Sequence, residues 1–385
     1  MNHSALSRAG LCLLAAVCFA LPRASALIEL DRGVITLNTE FGVSYDSNIL
    51  GQLTNESDTL LTFSPTLEYR REGGRGTMNF TLGGRFVHYL KADDRSHEDY
   101  NVGGVITLPV SPDSPFSGSL NASFGRATNV NETVGDLVTS TSLRLGANGA
   151  YAFSERLSGT GGVSWGTTEN ENFGDNESLS LSLGISLQEF LFRRLPLTLS
   201  YGYSTSESTN DPTTMRALDT ESHSFNVGTN GQLSPKVSGA VSVGLRSTDD
   251  SGTNFTSQGS SDTGIVASTS LAWAASELTT VSLALSKSLD VTADNQSTDT
   301  TRAGLTWSRT LSEQLSANAG VSHSWNSYRG MDRDDKLFGL SAGLSYQIRR
   351  NWTAGASYAY TDNRSNNQLS NFQRHVIGAT VSARF

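Results

Sequence analysis

The sequence predicts an all-β fold: a transmembrane up-and-down antiparallel β-barrel of about 18 strands, with short periplasmic turns and longer acidic extracellular loops. Three observations predict it. Apolar and small polar residues alternate with period two in segment after segment. Short turns and long polar stretches separate those segments by turns. Aromatic residues gather near the segment ends.

Composition frames this reading. Of 385 residues, 37% are hydrophobic and 17% charged, with 37 glycines and 8 prolines; soluble chains run nearer 25% charge and about 7% glycine. Mean hydropathy is −0.28. After residue 26 no apolar run approaches the ~20 residues that a membrane helix needs, which excludes a helical membrane protein. A net charge of −9 argues against a nucleic-acid partner.

Residues 1–26 read as a signal peptide. Arg8 supplies the positive start, Leu11 to Ala20 the apolar core, and Ala24-Ser25-Ala26 the small-residue cleavage site. Export by the general secretory route is therefore expected, with the cell outer membrane as destination. Both cysteines, Cys12 and Cys18, lie in this segment, so the mature chain is expected to hold neither disulfide nor cysteine metal site. Losing Arg8 and Arg23 takes the net charge from −9 to −11. Residues 27–33 read as a short periplasmic segment, and 34–385 as the barrel.

The strands follow in order. Ile35–Tyr45 is the weakest, and 16 strands is the alternative count. Leu61, Phe63, Leu67 and Tyr69 mark the next. Leu179, Leu181, Leu183, Ile185 and Leu187 alternate with Ser180, Ser182, Gly184, Ser186 and Gln188, and Phe338 to Ile348 repeats the pattern. Period two places the two sets on opposite faces. Short turns fall at Arg71–Gly76, Ser111–Ser114, Ser154–Arg156, Phe192–Arg194, Ser234–Pro235, Ala275–Glu277, Ser312–Glu313 and Arg349–Asn351. Longer polar stretches include Asp46–Asp58, Glu169–Glu177, Ser208–Thr220, Asp250–Asp262 and Arg329–Asp335. Alternation of this kind makes about nine hairpins.

A soluble β-solenoid or propeller also repeats period-two strands. Strands of ~10–14 residues, long enough to cross a bilayer when tilted, speak against it. So do two aromatic girdles: Tyr69, Tyr151, Phe153, Trp273 and Trp352 toward the short turns, and Tyr45, Tyr89, Trp165, Tyr203, Trp325 and Tyr360 toward the long loops. The last strand puts Val381, Ala383 and the terminal Phe385 on one face. That ending resembles the signal read by the barrel assembly machinery, an expected partner together with outer-membrane lipid and lipopolysaccharide.

The face opposite the leucines would line the interior, for example Ser117, Ser119, Asn121 and Ser123, or Ser316, Asn318, Gly320 and Ser322. Such small residues cannot fill a bore of 16–18 strands. The loops, at most about 13 residues, look too short to fold in as a plug. Inward charges are mostly arginine: Arg70, Arg85, Arg144, Arg246, Arg302, Arg374 and Arg384, against Glu40 and Glu68. Arg85, Arg144, Arg246, Arg302 and Glu68 are the chosen lumen-lining candidates. Guanidinium groups would attract anions, while an acidic mouth would repel them.

Enzymatic constellations do not stand out. No histidine has metal-ligand spacing to another, and His223, His323 and His375 fall on the lipid side near the outer rim, as interfacial anchors. Asp332-Arg333-Asp334-Asp335 lacks the glycine and distal glutamate of a calcium loop and reads as a solvated, cation-decorated loop. No catalytic residue, cofactor or metal is expected.

Phe41 to Ile49, with its Tyr45-Asp46-Ser47-Asn48 turn, resembles the first strand and loop of the β-barrel porin 2 family. Leu61 to Tyr69 and the arginine-rich first turn are similar too. The resemblance implies a Gram-negative outer-membrane barrel associated with exopolysaccharide production and export, working with periplasmic export components. A general diffusion porin and a non-conducting structural or adhesive barrel are the alternatives.

Overall fold

The computed structural model describes residues 28–30, 33–73, 76–108, 114–131, 136–171, 174–191, 195–209, 217–253, 260–291, 297–329 and 332–385. The signal peptide read at 1–26 lies outside them. A short strand, β1 (Ile28–Leu30), precedes 18 barrel strands. These are β2 (Gly33–Asp46), β3 (Asp58–Gly73), β4 (Gly76–Tyr89), β5 (His97–Leu108), β6 (Phe116–Asn131), β7 (Asp136–Ala152), β8 (Leu157–Asn170), β9 (Asn176–Leu191) and β10 (Leu195–Ser208). They continue as β11 (Ala217–Ser234), β12 (Val237–Thr253), β13 (Ser260–Ser276), β14 (Thr279–Val291), β15 (Ser297–Thr310), β16 (Leu315–Tyr328), β17 (Arg333–Arg349), β18 (Trp352–Ser365) and β19 (Phe372–Arg384). Each pairs antiparallel with the next, and β19 returns to β2, which closes the ring. The uncertain first strand is real, so the count is 18. No described helix is long and apolar enough to cross a membrane.

Strand lengths correct the expectation. They run from 12 residues in β5 to 18 in β11, whereas a tilted crossing needs about 9–11. The excess comes from polar stretches read as loops, such as Asp250–Thr253 in β12, which remain paired beyond the apolar belt. Leu30 pairs with Gly33, so part of the N-terminal segment joins the sheet.

Alternation sets the two faces. Leu181, Leu183 and Ile185 of β9 stand beside Tyr203, Tyr201 and Leu199 of β10; Leu183 is 64% exposed, as a lipid-facing side chain should be. Glycines on this face are covered by rings. A Cβ on Gly118 would meet Phe116 Cζ at 3.1 Å, and one on Gly149 would meet Phe116 Cε2 at 3.3 Å. Near the loop end the histidines join the aromatic belt as expected: Tyr201 Oη lies 2.8 Å from His223 Nδ1, His323 sits edge-on to Trp325 at 4.2 Å, and Tyr358 Oη is 3.0 Å from His375 Nδ1. Tyr89 does not join them. It shares the inward face of β4 with Arg85 and Val87 and is buried, because a loop packs over it.

The seam is held at both ends. Backbone bonds link Leu37 and Phe385 in both directions, at 2.8 and 2.9 Å, and the Phe385 ring stands edge-on to Trp352. At the other end Arg374 grips Asp46, with Nη2 2.6 Å from Oδ2.

Candidate functional site

The inner face is made of hydroxyls, amides and glycine. Ser117, Ser119, Asn121 and Ser123 of β6 face Ala150, Asn148, Gly146 and Arg144 of β7, and Thr353, Gly355 and Ser357 of β18 face Ser382, Thr380 and Gly378 of β19. Among the described paired residues, Phe, Tyr and Trp project inward only near the loop end, at Tyr89, Tyr328 and Phe372.

Register places all five lumen-lining candidates on this face without bringing them together. Glu68 pairs with Thr36 and Thr81 near the short-turn end. Arg144 pairs with Ser123 and Gly166, and Arg302 with Ser286 and Ser324. Arg246 reaches Ser222 Oγ through Nη2 at 3.0 Å. On β12 it stands nine strand steps from Glu68 on β3, on the opposite wall of the ring. Arg85 has Asp99 directly across from it on β5. Sequence reasoning missed Asp99 and Asp46 as inward acids, because both sit where strand passes into loop.

One loop packs at the mouth, without forming the plug for which the loops look too short. Residues 47–57, between β2 and β3, turn inward. Ile49 and Leu50 are 1% and 6% exposed and pack with Val87, Tyr89 and Ala92, with Leu60 and Leu137 alongside. Position 51 reaches from β19 to β6, within 3.5 Å of Phe372 and 3.6 Å of Val130 for a Cβ built there. Gly51 has φ +62°, the left-handed region that glycine adopts without a steric penalty.

The Tyr-Asp-x-Asn turn explains how this loop is held. The Asn48 backbone N–H donates to Asp46 Oδ1 at 3.0 Å. The fully buried Asn48 amide donates to the Gln52 carbonyl at 2.7 Å, Asn55 Oδ1 at 2.9 Å and the Gln373 carbonyl at 3.3 Å. Arg95 bridges the loop to the next hairpin through Glu56 and Asp136, at 3.7 and 3.2 Å.

Asp58 anchors the far end. Burial alone would raise its carboxyl pKa, but backbone N–H donation from Ala92, Thr59 and Lys91 outweighs this and holds it below the usual carboxylate value. A lowered folded-state pKa contributes stability above the unfolded value of about 3.9 and loses it as pH falls through the folded one. Hydrogen-exchange protection of the Lys91 and Ala92 amides is therefore expected to hold at pH 5 and to fall below about pH 3.8. Asp58→Asn should remove that dependence; unchanged protection in acid would refute this role.

A second rim cluster corrects the reading of 332–335 as a solvated loop. Asp335 is buried, accepts from Tyr328 Oη at 2.9 Å and is paired with Arg333 at 2.8 Å. The Arg333 guanidinium lies 4.3 Å from the Tyr328 ring centre. Register explains the burial, since Tyr328, Arg333 and Asp335 all fall on the inner face at the β16–β17 tip.

Comparison with known proteins agrees with this architecture. The family described as Putative beta-barrel porin 2 matches residues 211–385; the resemblance carried by residues 41–69 reaches the same family from the other end of the chain. No curated protein matches the sequence. OccK2 (OpdF) of Pseudomonas aeruginosa superposes with TM-score 0.52 at 12% identity, over 92% of this chain and 99% of that one. The ferric-catecholate import receptor Fiu of E. coli K12 gives 0.51 at 9% identity, over 93% and 82%. The siderophore receptor PiuA of Acinetobacter baumannii gives 0.50 at 10% identity, over 89% and 69%. At these identities the likeness is one of fold, that of outer-membrane barrels.

Proposed function

We propose that the chain forms a water-filled passage for hydrophilic solutes through the outer membrane. The observation that carries this is the inner wall of Ser, Thr, Gly and Asn, too small to fill an 18-strand ring. Arg144, exposed on that wall, favours anions in transit. The packed loop 47–57 narrows the mouth on the side formed by β19 and β2–β7.

A hydrated polymer, an acidic exopolysaccharide above all, is the finer reading. The family resemblance implies it, and a wall without rings below the rim offers a sliding sugar chain no aromatic face on which to lodge. An exporter of this kind would work with separate periplasmic and inner-membrane components. A general porin for small solutes fits the same wall.

Refolded into a planar bilayer, the protein is expected to give a steady, anion-preferring current. Silence from a folded, heat-modifiable barrel would rule out the passage. Replacing residues 49–56 with a short Gly-Ser linker is expected to raise conductance by roughly half to two-fold, because a hydrophobic constriction leaves the mouth. The polymer reading fails if deleting the protein leaves surface polysaccharide unchanged, and the small-solute reading fails if proteoliposomes do not swell in small sugars.

A further inference from the structure

Where the outward face leaves its aliphatic belt, one arc is acidic throughout and another mixes acids with cations. On β8–β12 the outward residues are acidic, and carboxylates stand directly opposite one another, Glu177 with Glu207 and Glu221 with Asp249. On β14–β18 a single register row runs Lys287, Thr301, Trp325, Lys336, Arg364 across five adjacent strands. The row below it holds Leu285, Ala303, His323 and Phe338 on the leucine face, with Asp362 beneath Arg364.

Like charges directly opposite destabilise a sheet. Lys336 and Arg364 are such a pair, and both are exposed. An anion between them would turn that repulsion into attraction. The nearby carboxylates do not fill this place. Asp362 accepts only the Arg364 Nε, at 2.9 Å, and the Arg364 side chain is 78% exposed. Asp299 is held by Arg329 at 3.2 Å, and Asp334 lies one step farther toward the loop end. Lys336 and Lys287 have no ion-pair partner among the described residues. Trp325, 42% exposed and next to Lys336, sits where indole rings meet lipid headgroups.

We propose that this row binds the phosphate of an outer-leaflet glycolipid, with Arg364 and Lys336 on the phosphate and the acyl chains lying over Phe338 and Leu340. The inference rests on the outer-membrane reading. It commits to the lipid rather than to free phosphate, because aromatic and aliphatic side chains continue beneath Lys287 and Lys336, at Leu285, Phe338 and Leu340.

The test titrates the purified mature barrel in detergent micelles with bis-phosphorylated lipid A and with the same lipid stripped of its phosphates. The phosphorylated form is expected to bind roughly ten-fold more tightly, as two charge-assisted contacts predict. Lys336→Gln with Arg364→Gln should abolish that preference, while Glu177→Gln with Glu207→Gln on the other arc leaves it intact. Heat-modifiability verifies that each variant is folded, and the comparison of the two lipids on the unaltered protein needs no variant. Equal binding of the two lipids, or a preference that survives in the Lys336/Arg364 variant, overturns the proposal and leaves the membrane reading standing. Inorganic phosphate binding as tightly as the lipid overturns the lipid commitment. Binding of neither lipid overturns the proposal alone, since the bilayer current tests the membrane reading separately.

Discussion

Leu183→Arg is expected to destabilise the barrel by about 2–4 kcal/mol, while Ser182→Arg leaves stability nearly unchanged. The two positions are neighbours in β9 but face opposite ways. Leu183 lies at the strand's middle, 64% exposed, between Gly161 and Tyr201 on the lipid-facing side. A guanidinium there must sit in hydrocarbon or drag water to it. Ser182, between Gly162 and Gly202, looks into the ring. Urea titration of the barrel in lipid vesicles, followed by tryptophan fluorescence, measures both. Equal losses would mean that the assignment of inner and outer faces is wrong.

Asp46→Ala is expected to cost about 2–3 kcal/mol, somewhat below the 3–5 typical of breaking a buried ion pair, since the Arg374 side chain is 23% exposed. The Asp46 side chain is only 4% exposed. Its removal orphans Arg374 at the seam and takes away the acceptor for the Asn48 N–H. Asp46→Asn should fall between the two, because an amide oxygen can still accept that bond while the charge is lost. The loop should loosen in Asp46→Ala, which limited proteolysis between residues 49 and 57 would detect. If Asp46→Ala were as stable and as resistant to cleavage as the unaltered chain, the latch would not exist.

How far the sequence reached depended on where each residue sits along its strand. In mid-strand, bulky and small residues alternate without a break, so Arg144, Arg246 and Arg302 could be placed inward by counting from neighbouring leucines. At strand ends the count gave out. Tyr89 stands with the rim aromatics by position alone, although parity from Phe80, Leu82 and Phe86 puts it on the other face. The folded loop had a sign too: Ile49-Leu50 is an apolar pair inside a polar stretch, and such a pair seeks cover. Its cover comes from Val87 and Leu137, far away in sequence, and no periodicity reports contacts of that kind. The Arg333–Asp335 pair was hidden for the same reason, since whether a charged tip is solvated depends on what stands opposite it.

The seam has a consequence for how the molecule forms. Every other pairing between barrel strands joins neighbours along the chain, so each hairpin can form as soon as its own residues are available. The β19–β2 joint alone brings together segments more than 300 residues apart, and it is the one contact whose loop-closure entropy is large. Until the last residue arrives, β2 and the growing end of the sheet are unpaired edges open to other strands. Leu37–Phe385 at one end and Asp46–Arg374 at the other sit at the joint where an open sheet becomes a ring without edges.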